Sequence, residues 1–265
     1  MNAVEYATKI GTVFESSLEL LHIITEKEFE ETLGTESPSE SYNQMLTETE
    51  ERLKAFVTEI GSYPGNHKLT GCNSLIRSDE VQKGILSTAE EGKHQLIVMG
   101  TRGMSKYKTL FVGSNTVHVI EKAKCPVLCV PEDATYNGFK TIVYATDYLQ
   151  EDKIMIQSVV SFAMPFDSLI KILHVSHRDQ ILDKAMYEEF KSELPSFIQY
   201  SKIEFDRKVY SNSVESGLDE FMREQKADLL VLITKRRNFF QKLFHKSLTR
   251  KMSYFTDYPL LVFNI

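Results

Sequence analysis

The stretch of sequence that most restricts the fold runs from Leu96 to Pro131 and reads LIVMGTRGMSKYKTLFVGSNTVHVIEKAKCPVLCVP. It begins with a short apolar run, continues through a glycine-containing loop and a segment with helical spacing, and ends in a second apolar run. Short apolar runs without polar alternation are typical of strands that are buried on both faces of a parallel sheet. The stretch therefore predicts a strand–loop–helix–strand unit of an α/β protein.

The same succession of segments occurs twice in the chain. The matching pairs are SSLELLHII (Ser16–Ile24) with DSLIKILHV (Asp167–Val175), HQLIVMGTR (His94–Arg102) with ADLLVLITK (Ala227–Lys235), and CPVLCV (Cys125–Val130) with YPLLVF (Tyr258–Phe263). They come in the same order in both halves, and helical patterns separate them. We therefore predict an α/β protein of two tandem, doubly wound parallel-sheet domains, residues 1–135 and residues 136–265.

The two halves differ at their beginnings. The second half opens with KTIVYATDYLQEDKIMIQSVV (Lys140–Val160), which predicts a strand followed by a helix, whereas MNAVEYATKIG (Met1–Gly11) has the pattern of that helix alone. We expect the first domain to lack its opening strand, which in a doubly wound sheet lies near the middle. Three explanations stay open: the sheet closes up, another segment fills the place, or the chain as given begins late. The late start is favoured, because Met1 corresponds to a position inside the helix.

Composition restricts the class of protein. A length of 265 residues suits two domains, and 42% hydrophobic with 26% charged residues indicates a folded chain. The net charge of −6 argues against a protein that wraps nucleic acid with its whole surface. Three cysteines are too few for a disulfide framework, and no apolar run approaches the roughly 18 residues that span a bilayer. We expect a cytoplasmic location.

The glycines of the opening stretch form the pattern G-x2-G-x9-G-S-N, from Gly100 through Gly103 to Gly113-Ser114-Asn115. Glycines after the carboxyl end of a strand let backbone N–H groups approach an anion, and a helix start adds unpaired amides and a favourable dipole. Ser114 or Asn115 is expected to cap that helix. The pattern is neither a P-loop nor a dinucleotide fingerprint. It predicts an anion site, with the alternative that the glycines serve only turns and helix packing.

The segment Leu96–Pro131 resembles the C-terminal signature of the ATP-binding branch of the universal stress protein family, and the repeat resembles the tandem form of that family. The resemblance implies an adenine nucleotide alpha hydrolase-like fold, a five-stranded sheet in each domain, and pairing of the two domains through their last strands. It also implies ATP, alone or with magnesium, at a site in the first half. The residues of that site are Gly100, Arg102, Gly103, Gly113, Ser114 and Asn115.

The second half departs from the family pattern. Asp147, in IVYATDYL, matches the aspartate that the family places near the adenine and ribose. However, the second loop reads TKRRNFFQKLFHKSLT, with Thr234, Arg237 and Lys246 where glycines are needed for close backbone approach. We therefore expect a degenerate second domain that does not hold ATP as the family does, with Asp147 as a remnant of the site.

Two further features have competing interpretations. The basic residues of segment 235–251 alternate with phenylalanines, which fits an anion- or lipid-binding surface or, equally, a helix packed on the sheet. His22 and His174 occupy equivalent positions in matching segments. Neither has a nucleophile or a ligand-spaced partner nearby, so we interpret both as side chains that satisfy local hydrogen bonds.

The sequence thus favours a stress-response protein that binds ATP as a sensor of conformation or of partner choice. No catalytic residue and no metal site are assigned, because turnover requires a positioned water and a base; slow ATP hydrolysis stays open. The alternatives are an interaction scaffold that binds no nucleotide, or an anion or lipid binder that uses segment 235–251. A homodimer stays open, and no nucleic-acid partner is expected.

Overall fold

The computed structural model describes residues 2–33, 37–62, 68–101, 113–176, 181–209, 213–234 and 258–264. The strands are β1 (Ser17–Ile24), β2 (Gly71–Ser78), β3 (Ile97–Gly100), β4 (Val127–Val130), β5 (Thr141–Ala145), β6 (Leu169–Ser176), β7 (Ile203–Val209), β8 (Leu229–Thr234) and β9 (Leu260–Asn264). The helices are α1 (Asn2–Val13), α2 (Glu26–Thr32), α3 (Pro38–Ser62), α4 (Val81–Glu91), α5 (Ser114–Lys122), α6 (Gln150–Ala163), α7 (Ile181–Glu193) and α8 (Val214–Glu224). Short 3₁₀ turns follow α6 and α7, at Met164–Phe166 and Leu194–Ser196.

The described strands form two sheets. β1 and β2 make a parallel pair, and the other strands form a seven-stranded sheet with the order β3-β4-β9-β8-β5-β6-β7. Within the larger sheet every neighbouring pair is parallel except β4 and β9, which are antiparallel. The order β7-β6-β5-β8-β9 runs outward from β5 in both directions, which is the doubly wound arrangement. The predicted fold class is confirmed.

The chain divides into two compact units, residues 3–95 and residues 96–265. The two-stranded sheet lies in the first unit and the seven-stranded sheet in the second. This division falls inside the first sequence repeat, because β3 and β4 are part of the larger sheet. The boundary near residue 135, which the repeat suggests, stays a prediction.

The first repeat has no opening strand among the described residues, where α1 is the first element and β1 follows it. In the second repeat β5 pairs with both β6 and β8. The counterparts of β6 and β8 in the first repeat are β1 and β3, and these lie in different sheets.

The core of the second unit lies against the seven-stranded sheet. β4 is buried along its whole length, and so are the central residues of β5. In α8, Leu218, Phe221 and Met222 are buried at the i, i+3, i+4 spacing of one helix face. The helix begins at an N-cap, Ser213, whose side chain accepts a hydrogen bond from the Ser216 amide. Local sequence thus sets both the start of α8 and the face that it buries.

The longest helix, α3, has 25 residues and belongs to the first unit. Only Ser41 and Ile60 are buried in it, and its Glu50–Lys54 ion pair, four residues apart, is exposed. It is therefore a largely solvated helix. Across the described ranges, no helix combines the length and the apolar character needed to cross a membrane.

Candidate functional site

The ends of the glycine loop in the first repeat are joined by two hydrogen bonds. The Gly113 N–H donates to the carbonyl oxygen of Thr101 over 2.8 Å, and Thr116 Oγ1 donates to the carbonyl oxygen of Gly100 over 3.3 Å. Both threonines are buried. As a result, the carboxyl end of β3 and the N-terminus of α5 lie side by side, as a strand–loop–helix anion site requires.

Gly113 is the N-cap of α5 and has an ordinary extended backbone, with φ −62° and ψ 150°. A Cβ atom at this position would lie 3.6 Å from the Thr101 carbonyl oxygen and 4.0 Å from Thr116 Oγ1, which are normal contact distances. Among the described residues, nothing near Gly113 excludes a Cβ. The expected cap was wrong: Ser114 is the first helical residue, so the cap position belongs to a residue without a side chain.

The N-terminus of α5 supplies the other donors of the loop. The first amides of a helix have no acceptor within it and carry partial positive charge, whereas the Gly113 amide is already bonded to Thr101. Ser114 and Asn115 are exposed at this end of the nine-residue helix. The structure thus brings together Gly100, Gly113, Ser114 and Asn115. The other two predicted site residues, Arg102 and Gly103, lie outside the described residues.

In the second repeat, a buried hydrogen-bond network follows β5. The Asp152 carboxylate accepts hydrogen bonds from the Tyr144 hydroxyl (2.6 Å), the Thr146 hydroxyl (2.7 Å) and the Leu149 amide (2.8 Å). Burial, reinforced by the neighbouring Asp152 carboxylate, raises the pKa of Tyr144 far above its ordinary value, so its hydroxyl is a donor. The network fixes the turn after β5, from which Asp147 projects with its side chain 57% exposed.

A second cluster lies beside this turn and contains charges of both signs. His174 Nδ1 lies 2.7 Å from the Thr146 carbonyl oxygen, and its Nε2 lies 3.0 Å from Asp183 Oδ1. Arg207 Nε and Nη2 each lie 3.0 Å from Asp183 Oδ2. The side chains of His174, Asp183 and Arg207 are all less than one fifth exposed. Asp147 Oδ1 is more distant, 3.9 Å from His174 Nδ1.

The chemistry of the acceptors determines what this cluster does. A carbonyl oxygen and a carboxylate can only accept, so each of these two contacts is a hydrogen bond only when the His174 nitrogen is the donor. Burial tends to raise the pKa of Asp183, but the Ser176 hydroxyl, His174 and Arg207 together hold it below the ordinary value. Asp183 is therefore an ionised partner of the Arg207 guanidinium, and His174 satisfies local hydrogen bonds, as expected from the sequence.

Sequence reasoning missed several of these residues. Asp152 has a weak signal, because an acidic residue three positions after a helix start is typical of capping. Asp183 and Arg207 are 24 residues apart, and no sequence motif contains both of them. Thr234 ends β8, whereas Arg237, Lys246 and the basic segment 235–251 lie outside the described residues.

Comparison with known proteins finds a family match for the first half of the chain. Residues 1–131 match the model of the Universal stress protein family. A universal stress protein of Thermus aquaticus is 41% identical over 58 residues, which are 22% of this chain and 42% of that protein. A universal stress protein A-like protein of Arabidopsis thaliana is 25% identical over 64 residues, 24% of this chain and 37% of that protein. The chain thus aligns with less than half the length of either relative.

A solved structure extends the similarity to the whole fold. The crystal structure of a universal stress protein from Archaeoglobus fulgidus superposes with a TM-score of 0.70 over 99% of this chain and 92% of that chain, at 19% identity. At this identity the similarity concerns the fold alone, the adenine nucleotide alpha hydrolase-like fold. Residues 1–131 thus match the universal stress protein family, and the fold along the chain is similar to that of a universal stress protein structure.

Proposed function

We propose that this chain is a tandem universal stress protein that binds ATP in its first half and acts as a sensor. The observation that carries the proposal is the hydrogen bond from the Gly113 amide to the Thr101 carbonyl oxygen, which joins both ends of the glycine loop. In open α/β sheets, ligands bind outside the carboxyl ends of the strands, where this loop begins. The residues proposed to bind the nucleotide are Gly100, Arg102, Gly103, Gly113, Ser114 and Asn115.

Each part of the loop has a distinct role in this proposal. The first amides of α5, at Ser114 and Asn115, stabilise phosphate oxygens by hydrogen bonding and through the helix dipole. Arg102 adds a positive charge, and Gly100 and Gly103 leave the backbone open to the phosphates. Gly113 supports this interpretation indirectly. The described residues leave room for a Cβ at residue 113, so the proposal attributes the glycine to close approach of the ligand.

The proposed role is sensing rather than turnover. Phosphoryl transfer requires a residue that positions and deprotonates the attacking group, and none is assigned in this loop. ATP, with or without magnesium, then binds one conformation of the chain more tightly than another. Binding therefore shifts the equilibrium towards the conformation with the higher affinity. Occupancy would thereby bias the choice of protein partner in a stress response.

We also propose that the second half, residues 136–265, is a degenerate domain that pairs with the first half through the last strands. The antiparallel ladder between β4 and β9 supports this, with Val127 opposite Val262 and Cys129 opposite Leu260. All four residues are buried. Asp147 is then the remnant of the second nucleotide site. Whether two chains also associate is decided by a mass measurement in solution, with and without ATP.

The direct test is calorimetric titration of ATP with magnesium into the wild type and into Gly113→Ala. A Cβ at residue 113 makes only normal contacts, so we expect an unchanged melting temperature. If the ligand approaches the backbone there, affinity falls about tenfold or more, or at least about 1.4 kcal/mol. The matched control is Gly61→Ala on α3, where a Cβ meets nothing within 4 Å and binding stays unchanged.

Other outcomes identify the alternatives. No binding of ATP by the wild type at about millimolar concentration overturns the proposal and favours the interaction scaffold. Retention on anionic liposomes that weakens with added salt favours the anion or lipid binder acting through segment 235–251. Equal ATP affinity in the wild type and Gly113→Ala would remove Gly113 from the site.

A further inference from the structure

The helix α5 is bonded at both ends to other elements of the second unit. At its N-terminus, the Gly113 amide donates to the carbonyl oxygen of Thr101, just after β3. At its C-terminus, Nδ2 of Asn264 donates to the carbonyl oxygen of Ala123 over 2.7 Å. Ala123 is the C-cap of α5, and Asn264 is the last residue of β9, 141 positions further along the chain. A helix of the first repeat therefore ends against a side chain of the second repeat.

Asn264 supplies a donor where the helix needs one. The last carbonyls of a helix have no amide to accept from within it, and they carry partial negative charge. Ala123 is buried, and its hydrogen bond to Asn264 is partly buried. A carbonyl at such a place costs free energy when its donor is removed. The Asn264 side chain therefore helps to fix the position of the last turn of α5.

Between its two ends, α5 is tightly packed. Val119 and Ile120 are completely buried, and the helix packs on β4 and β9. It has nine residues and is about 13 Å long. Close-packed interiors have low compressibility and transmit a displacement instead of absorbing it. We therefore expect a small movement of the first turn, at Ser114, to reach Ala123.

A second connection joins the glycine loop to the same two strands. The Thr101 amide donates to the carbonyl oxygen of Val130, at the end of β4, over 3.0 Å. β4 in turn pairs with β9 in an antiparallel ladder, with Leu128 opposite Leu261. One end of the loop is thus bonded to β4, and the helix that begins at the other end is bonded to β9 through Asn264.

We propose that Asn264 is a positioning residue for the glycine loop, and that α5 couples occupancy of this loop to the β4–β9 ladder. The inference rests on the proposed binding of ATP in the first half. Asn264 holds α5 where its first amides meet the phosphates, and bound ATP in turn strengthens the bond between Asn264 and Ala123, because coupling between two sites is reciprocal. The second half then responds to ATP without binding it.

The test is calorimetric titration of ATP with magnesium into the wild type and into Asn264→Ala. We expect the variant to bind ATP about fivefold or more weakly. The matched control is Tyr200→Phe, which removes another partly buried hydrogen bond to a backbone carbonyl, that of Ser168 beside β6. Both variants should lower the melting temperature by about 2–4 °C. Unchanged affinity in Asn264→Ala, or an equal loss in Tyr200→Phe, overturns the inference.

NMR provides a signature that a purely structural role of Asn264 would not produce. The side-chain amide resonances of Asn264 are assigned by their absence from the spectrum of Asn264→Ala. In the wild type, addition of ATP should shift them together with the backbone amides of Ser114 and Asn115. Shifts that are confined to the start of α5 would show that occupancy does not reach β9, and would overturn the coupling.

Further variants separate positioning from folding. Asn264→Gln keeps an amide donor and should bind ATP more tightly than Asn264→Ala. If Asn264→Ala does not fold, Asn264→Asp, which keeps the shape and replaces the donor by an acceptor, is titrated in its place. Failure of both to fold assigns Asn264 to stability alone and overturns the inference. A wild type that binds no ATP overturns the proposed function as well, whereas equal binding by the wild type and Asn264→Ala overturns the role of Asn264 alone.

Discussion

His22 and His174 occupy the same place in two matching strands, and their surroundings differ. Each is the sixth residue of its strand, β1 or β6, and each faces an acidic residue at the third position of the next helix. His22 Nε2 is 3.8 Å from Glu28 Oε1, and its side chain is 38% exposed. His174 Nε2 is 3.0 Å from Asp183 Oδ1, and its side chain is 12% exposed.

The difference comes from the neighbouring strands. β6 lies between β5 and β7, and the carbonyl of Thr146, just after β5, accepts from His174. β1 pairs with β2 alone in the described part of the chain. Ile24 is the only residue of β1 that is buried, whereas half of the β6 residues are. The same local pattern therefore gives a surface ion pair beside one neighbour and a buried charge cluster between two.

The largest difference between the His22 and His174 sites is expected when the acidic partner of each histidine is replaced by alanine. Asp183→Ala removes the carboxylate that pairs with the largely buried Arg207 and contacts His174, which should lower the free energy of unfolding by about 3–5 kcal/mol. Glu28→Ala removes an exposed contact and should change it by less than about 0.5 kcal/mol. Urea denaturation measures both. Equal losses for the two variants would contradict the comparison.

The stability contributed by Asp183, beside His174, should also depend on pH. Because the pKa of Asp183 is lowered in the folded chain, its ionised form stabilises the fold above the ordinary pKa. That contribution is lost as the pH falls through the folded pKa. The difference in unfolding free energy between wild type and Asp183→Asn, on the order of 1–2 kcal/mol near neutral pH, should therefore shrink as the pH falls below the ordinary pKa of an aspartate. A constant difference from neutral pH to acid would be the contrary result.

A smaller effect is expected at Thr116, which is buried at the end of the glycine loop of the first repeat. Thr116→Val removes the part-buried hydrogen bond to the Gly100 carbonyl oxygen and keeps the shape, at a cost of about 1 kcal/mol. Thr47→Val on α3 is the control, because the Thr47 hydroxyl bonds to the Asn43 carbonyl oxygen at the exposed surface. In thermal unfolding, the melting temperature should fall clearly for Thr116→Val and only slightly for Thr47→Val.

The smallest effect is expected at His22 itself. His22→Gln changes a half-exposed side chain whose nearest acidic partner is 3.8 Å away, so the free energy of unfolding should move by less than about 0.5 kcal/mol. His174→Gln should cost more, since glutamine cannot supply both hydrogen bonds in the same positions. Should His22→Gln prove the more damaging variant, the contrast between the two strands would be wrong.

Much of the fold could be predicted because its signals are local. The apolar runs around Leu96–Pro131 and their repetition indicate parallel strands with helices between them, and the doubly wound order of β5 to β9 agrees. The separate two-stranded sheet was harder to foresee. It depends on the absence, among the described residues, of a strand that would join β1 to β3, and the sequence left three explanations of that absence open, with a late start favoured.

The candidate site could be predicted in position but not in detail. The spacing of Gly100, Gly113 and Ser114 indicated a loop between a strand and a helix start, and the structure has that arrangement. The N-cap of α5 was assigned to Ser114 or Asn115 because both are common N-cap residues. The residue types alone do not determine at which residue the backbone dihedral angles become helical, and the cap is Gly113. The hydrogen bond from the Gly113 amide to the Thr101 carbonyl oxygen could not be predicted either, because it depends on how close the two ends of the loop lie in the folded chain.

The sequence by itself determined which segments become strands and helices, and that the chain contains two similar halves, because periodicity and turn residues act over short distances along the backbone. Only the tertiary structure decided which side chains meet. Asp183 and Arg207 come together because β6 and β7 are neighbours, and Tyr148 reaches His174 because β5 and β6 are. Burial and charge pairing depend on such neighbours, which explains why two histidines in matching strands differ.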